Sequence, residues 1–404
     1  MVLANRAKLQ NSRSLVRVFG GLNETYACSE AEYSAGVNFS ARDFPALSTR
    51  KPRRKLRELT ELNGMYHLNG LLTVCGKDLI YTPDADGANP VTCTEAVTDG
   101  KKALVGIGTK ILIFPDKVAF DTADGSVSAL GAVWQAEGQS VQFAPCDAAG
   151  KAYEVSGYGK EEPEKPADGQ LFLKVEDEEH PWASTSTLEE YSASSGSWTA
   201  VPLEYCRITA AGAQRLFAQW DTVTVQGTAA QQAGMWTKLD EDLVVYDVLE
   251  NGLRVRVSPE GDHVYGTLVQ SAESAQWTSL DGKETRNFAV STPVRMERRV
   301  PDLDYVTECD NRVWGCSSKE NVIYACRLGD PTNWFSYRGI AADSYAVTVG
   351  SDGAFTGAAT CMGYALFFKE NTLHKLYGSK LRIFSSPRCA AGALPKTRRA
   401  ACVC

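Results

Sequence analysis

The chain has 404 residues, 44% of them hydrophobic and 23% charged, with a formal net charge of -7 and a sequence pI near 5.4. That length and apolar content suffice for a sizeable core, in two or three domains or in one large domain built from repeats. The acidic balance argues against coating nucleic acid through a global positive field. No apolar run approaches the roughly 18 to 20 residues of a spanning helix, so no membrane anchor is expected.

Residues 1–60 read as an N-terminal arm with the first strands. The opening stretch carries Arg6, Lys8, Arg13 and Arg17 and lacks the continuous apolar segment of a signal peptide, so the chain is expected to be made and kept in a cytosol. Twelve cysteines in a chain of this length, without a leader, point to buried thiols rather than a disulfide framework. The arm ends in Arg50, Lys51, Pro52, Arg53, Arg54, Lys55, Leu56 and Arg57, six cations in eight residues. Such a run is either a solvated strand edge, where charge and proline discourage pairing, or a salt-sensitive contact with DNA phosphates or an acidic partner.

Beyond residue 60 the apolar residues fall in short alternating or β-branched runs broken by Gly, Asn and Asp, which predicts an all-β chain. Four segments share a turn, strand, turn, strand design. Asn69-Gly70 leads through Leu71–Cys75 to Tyr81, and Gly108-Thr109 leads through Ile111–Phe114 to Phe120. Asp310-Asn311 leads through Val313–Cys316 to Tyr324, and Met362-Gly363 leads through Tyr364–Phe368 to Leu376 and Tyr377. From the second turn residue to the closing aromatic the distances are 11, 11, 13 and 14 residues. A unit of this kind buries one sheet face only by stacking on a neighbour, which predicts incomplete β-propeller-like repeats, with a generic β-sandwich as the alternative. The aromatics Tyr81, Phe120, Tyr324 and Tyr377, or Leu376 in place of the last, are expected on buried faces.

The period places the first blades in 61–135 and further blades in 296–379. Between them, 136–295 reads as an inserted antiparallel β domain with Trp182, Trp198, Trp220, Trp236 and Trp277 available for a core of its own. Within it, Gly157–Gly169 has loop chemistry, Asn251-Gly252 predicts a type I′ hairpin turn, Ser195-Gly196 a second hairpin, and Ala210–Trp220 a short helix. Residues 380–404 switch to Arg, Ala, Ser and Cys without strand period, resembling out-of-frame translation or a basic docking tail.

No constellation carries chemistry. Cys309, Cys316 and Cys326 are spaced 7 and 10 residues apart, unlike the close pairs of structural zinc sites, and Cys402 and Cys404 end the chain. His67, His180, His263 and His374 come without a nucleophile elbow, and the Glu176–Glu179 run reads as a solvated loop. No enzyme activity, cofactor or metal is expected.

Two stretches resemble the tail nozzle, or tubular, proteins of short-tailed bacteriophages. The first runs from Phe19-Gly20-Gly21-Leu22-Asn23 through Ala35–Phe39 to Pro45–Arg50. The second runs from Asn311-Arg312-Val313-Trp314 through Asn321–Ala325 to Leu328-Gly329-Asp330-Pro331-Thr332-Asn333-Trp334. In that last turn Asp330 can cap, Pro331 presets φ, and Trp334 can anchor the loop on the sheet. The resemblance implies a virion subunit made in the bacterial host cytoplasm. It implies a hexameric ring of identical copies joined to portal and adaptor proteins, around a channel through which DNA passes. A glycan-binding or glycan-cleaving propeller of a receptor-binding tail protein is the alternative.

Overall fold

The computed structural model describes residues 15, 17–40, 42–43, 48–53, 55, 58–83, 89–179, 181, 186–235, 239–258, 264–338, 340–377 and 382–386. The chain divides into two units, Met1–Glu58 and Leu59–Cys404. In the first, Gly21–Leu22 pairs in parallel with Glu32–Tyr33, and Phe39–Ser40 pairs antiparallel with Ser48–Thr49. None of its described residues enters a hydrophobic cluster, and Leu15, Val18, Leu22, Tyr26, Val37 and Phe39 are exposed.

The described residues of the second unit hold four four-stranded antiparallel meanders. Blade I comprises Leu62–His67, Leu71–Cys75, Asp78–Thr82 and Val91–Cys93; blade II comprises Ala103–Ile107, Lys110–Phe114, Val118–Asp121 and Val127–Ala129. Blade III comprises Tyr305–Cys309, Arg312–Cys316, Val322–Ala325 and Tyr345–Thr348; blade IV comprises Phe355–Cys361, Tyr364–Lys369, Leu373–Tyr377 and Arg382–Ser386. The four hairpins read from the sequence are the second and third strands of these blades. Turns at Asp310-Asn311 and Met362-Gly363 join first to second strands, and all four residues have positive φ, the geometry that matches strand twist in a two-residue hairpin.

One rule orients every blade. In each second strand, residues alternate between hydrogen bonding to the first strand and to the third: Cys316 O accepts from Asp304 N, whereas Val313 O accepts from Cys326 N. Residues bonded to the first strand face the following blade, and those bonded to the third face the preceding one. Leu72 and Val74 of blade I thus meet Ile111 and Ile113 of blade II, with Leu79, Tyr81 and Phe120 in the same core. Leu112 and Phe114 of blade II meet Val313, Cys326 and Trp334 of blade III. Cys309, Cys316 and Ile323 of blade III meet Phe355, Ala365, Phe367 and Leu376 of blade IV. The result is an arc of four stacked blades, an incomplete β-propeller-like fold.

Between blades II and III lies a β domain with a core of its own, centred on Phe143, Ile208, Val255, Leu268 and the fully buried Trp277. Its ten-stranded sheet runs, in spatial order, Ala132–Gln135, Arg295–Arg298, Thr222–Gln226, Asp242–Leu249, Gly252–Arg256, Tyr205–Thr209, Val141–Cys146, Gly266–Gln270, Ser274–Ser279 and Thr285–Ala289, with every pairing antiparallel. A four-stranded sheet, Val155–Gly159, Leu171–Val175, Ser186–Ser192 and Ser197–Ala200, completes it, its first pair being parallel.

Four local expectations are corrected. The hairpin at Asn251-Gly252 closes one residue earlier, with Leu249 opposite Gly252. Gly252 serves close approach instead, since a Cβ there would stand 2.0 Å from Ile208 O of the neighbouring strand. Ala210–Trp220 contains only the 3-10 turn Ala213–Arg215, because a left-handed Gly212 and the mixed apolar pattern leave no stripe to bury. Gly157–Gly159 belongs to a strand rather than a loop. Arg382–Ser386, expected to be irregular, pairs with Leu373–Tyr377, whose free N–H and C=O groups offer a ready template. Residues 387–404, Cys402 and Cys404 among them, lie outside the described residues.

Candidate functional site

Three elements converge where the arc meets the inserted domain. Asp330 opens a tight turn: its Oδ1 accepts from Thr332 N at 3.1 Å and Thr332 Oγ1 at 2.6 Å, and its Oδ2 accepts from Asn333 Nδ2 at 2.6 Å. Asn333 reaches into the insert, donating to Asp221 Oδ1 at 3.0 Å and accepting from Thr222 N at 3.3 Å. Asp221 is buried, and its other oxygen pairs with Arg298, which returns the chain from the insert. Trp334 is buried, donates to Pro331 O at 2.8 Å, and meets Phe114 of blade II edge-on at 6.3 Å. Arg312, also buried, donates to the carbonyls of Cys326, Ala341 and Asp343 and lies over the Tyr345 ring at 4.8 Å, holding the connection between the third and fourth strands.

A second polar clasp ties the turn between the second and third strands of blade II to the segment that leads into the blade. Lys102 Nζ lies 2.6 Å from Asp116 Oδ2, with side chains only 1% and 6% exposed. Burial alone would raise the Asp116 carboxyl, but hydrogen bonds from Lys102 and Thr98 outweigh it and hold the group below its ordinary value.

A third lies between blades III and IV. His374 is buried; its Nε2 shares a 2.8 Å hydrogen bond with Ser351 Oγ and lies 3.3 Å from Thr372 Oγ1, while Nδ1 finds no partner among the described residues. Lys369 Nζ donates to Asn321 Oδ1 at 2.9 Å and to Ser351 O, and approaches the Phe355 ring. Burial first, and the charge on Lys369 second, depress the His374 pKa below its ordinary 6.5. Protons therefore bind the unfolded chain more tightly, and the contribution of neutral His374 to stability, full above about pH 6.5, is lost as pH falls through the folded-state value. Denaturation midpoints measured from neutral pH downward are expected to fall less steeply in a His374→Gln variant than in the wild type.

The other residues singled out by sequence are dispersed. Tyr81 and Phe120 pack together at 5.1 Å in the core between blades I and II. Tyr324 is half-buried against the core between blades II and III; burial first, and Glu320 at 3.1 Å from its hydroxyl second, push its pKa up to about 12. Tyr377 ends a strand of blade IV and its side chain lies outside the described residues, whereas Leu376 is buried. Cys326 sits in a different core from Cys309 and Cys316, so the three are not gathered. Trp182, Trp236, His180 and His263 lie outside the described residues.

Arg50, Lys51, Arg53 and Lys55 are exposed, Lys55 pairing with Glu58 at 3.1 Å; Arg54 and Arg57 lie outside the described residues. Charge is divided unevenly along the chain. Of 42 Lys and Arg and 49 Asp and Glu, residues 1–58 hold 11 and 5, which leaves 31 against 44 in the remainder. In the inserted domain an open cleft of about 580 Å³ is lined by Tyr153, Tyr205, Asp147, Glu154, Glu190 and Glu204 among others. Sequence reasoning missed Asn333, Asp221, Arg298, Lys102 and Asp116, which meet only in the fold.

No family model and no curated protein matches the chain. Among solved structures it is similar to the Pan2 WD40 domain of Neurospora crassa, at 10% identity over 81% of this chain and 75% of that one, TM-score 0.17. It is also similar to BamB from Moraxella catarrhalis, at 10% identity over 81% and 75%, TM-score 0.18, and to the AfRom2 CNH domain, at 10% over 84% and 78%, TM-score 0.21. Likenesses that low carry no argument, and the fold rests on the blades themselves.

Proposed function

We propose that the chain is a structural subunit of a short-tailed phage tail, of the nozzle kind, working by assembly rather than catalysis. The observation that carries this reading is the turn joining Asp330, Asn333 and Trp334, which lies in the stretch that resembles nozzle proteins and locks the insert to the arc. Identical copies would form a hexameric ring on portal and adaptor proteins, with DNA passing through its channel. The cation-rich arm, with Arg50, Lys51, Arg53, Arg54, Lys55 and Arg57, would supply a salt-sensitive contact to an acidic neighbour or to DNA.

Electron microscopy of the purified protein, alone and mixed with a portal and adaptor complex, tests the proposal. Rings that seat on the adaptor are expected. A monodisperse monomer in both samples overturns it. The alternative, a glycan-binding tail protein, has the cleft beside Tyr153 and Tyr205 as its place, and saturable binding of host glycans lost on Tyr205→Ala would favour it.

A further inference from the structure

The inserted domain and the arc have separate apolar cores. Going in, the chain leaves the cluster of blades II and III at Leu130 and joins the cluster of the insert at Trp134; coming back, it leaves that cluster at Met296 and regains the arc at Val300. No hydrophobic cluster of the described residues spans the seam. The contacts that cross it are polar or charged. Asn333, in the blade III connection, holds Asp221 and Thr222; the Arg338 guanidinium lies 3.9 Å from the centre of the Trp220 ring; and Arg299, bonded to Asp242, lies 4.6 Å from that of Phe335.

Two features set this seam apart from a permanent interface. First, buried polar atoms without partners collect there. Asn333 is the hub: Ser344 Oγ donates to its carbonyl and accepts from Ser336 N, Thr222 N donates to its side-chain oxygen, and its amide donates to Asp221, which Arg298 also holds. In and beside that network Thr222 Oγ1, Ser336 Oγ, Arg298 Nε and Asp343 Oδ1 are buried and meet no hydrogen-bonding partner among the described residues. Each gave up hydration when the seam closed and recovered less than it lost. Second, Trp220, next to Asp221, has a φ of 75°, where a bulky residue is strained. Its ring is held by Arg338 and by Tyr246, which it meets edge-on at 5.5 Å.

From this we infer that the seam is a joint that opens: the inserted domain swings away from the arc about the paired strands Ala132–Gln135 and Arg295–Arg298, and Arg338 on Trp220 is the catch. Opening breaks the bonds of Asn333 to Asp221 and Thr222, while Asp221 keeps Arg298. In exchange, water reaches the four polar atoms and Trp220 is free to return to an ordinary backbone angle. The apolar cores on the two sides stay intact, so the movement needs no unfolding of either. The joint stands independently of the phage reading and needs no second chain.

Hydrogen exchange at residue resolution tests it, because exchange through local opening reports the population of the open form. The Thr222 amide, whose acceptor is Asn333 across the seam, should exchange well before the amides of Lys110–Phe114 in blade II and Val141–Cys146 in the insert. Arg338→Ala releases the catch and should speed Thr222 exchange roughly 2- to 30-fold, the worth of a cation–π contact. Thr222→Val removes an unmatched hydroxyl while keeping the shape and the amide, and should slow exchange at that amide roughly fivefold or more. A general loss of stability cannot move the two variants in opposite directions. A Thr222 amide that exchanges only with the two cores would overturn the joint. So would faster exchange in Thr222→Val, since the hydroxyl would then be bonded while the seam is closed. Unchanged exchange in a natively folded Arg338→Ala would overturn the assignment of Arg338 as the catch.

Discussion

Replacing Lys102 with methionine is expected to lower the unfolding free energy by about 3–5 kcal/mol, the range for removing one partner of a buried ion pair. The reason is what remains. Asp116 would keep its place in the turn between the second and third strands of blade II, with Thr98 still donating to Oδ1, but its Oδ2 would face a dry interior with no cation. An uncompensated buried carboxylate either stays charged at high cost or takes up a proton, so the variant should also recover part of its loss as pH falls towards the carboxylate range. Replacing both partners, Lys102→Met with Asp116→Leu, should cost clearly less than the single change. Urea denaturation of the three proteins decides the matter. A single variant within about 0.5 kcal/mol of the wild type, the usual spread for surface changes, would mean that the pair is solvated.

Truncating Trp334 to alanine is expected to cost a similar amount, about 3–5 kcal/mol, through the cavity left beside Phe114. Its consequence should spread further than that of a core residue inside one blade. Trp334 follows Asn333, whose amide and carbonyl oxygen hold Asp221 and Thr222 of the insert, so a collapsed turn loosens two junctions together. Limited proteolysis of Trp334→Ala should therefore release the inserted domain early. Phe367→Ala, buried in the core between blades III and IV, should lower stability without that early cut. Equal digestion patterns in the two variants would mean that the turn does not tie the insert.

The hairpins were legible because their determinants are local. Turn pairs such as Asp310-Asn311 and Met362-Gly363 tolerate positive φ, and alternating apolar residues such as Leu72 and Val74 state which face is buried. The outer strands were not, since Val91–Cys93 and Val127–Ala129 are three residues each and owe their strand character to a neighbour's edge. The ten-stranded sheet was illegible for the same reason carried further. Strands Val141–Cys146 and Gly266–Gln270 lie side by side although more than a hundred residues separate them, and nothing local encodes that pairing. Asp330 and Trp334 could be singled out because turn chemistry acts within five residues. Their partners Asp221 and Phe114 carry no sign of the contact in their own surroundings.

The inserted domain is entered at Ala132 and left at Arg298, and these two residues are register partners in adjacent antiparallel strands. Their Cα atoms are therefore only about 4.5–5.5 Å apart. So large an excursion thus leaves and rejoins the arc through a single doorway, and blade II stacks on blade III as though the chain had made a short loop. The dimensions of the arc do not depend on how much is threaded through that doorway. Such a cassette can lengthen, shorten or be exchanged for another while the frame keeps its curvature, provided the newcomer offers a carboxylate where Asp221 now receives Asn333 and Arg298.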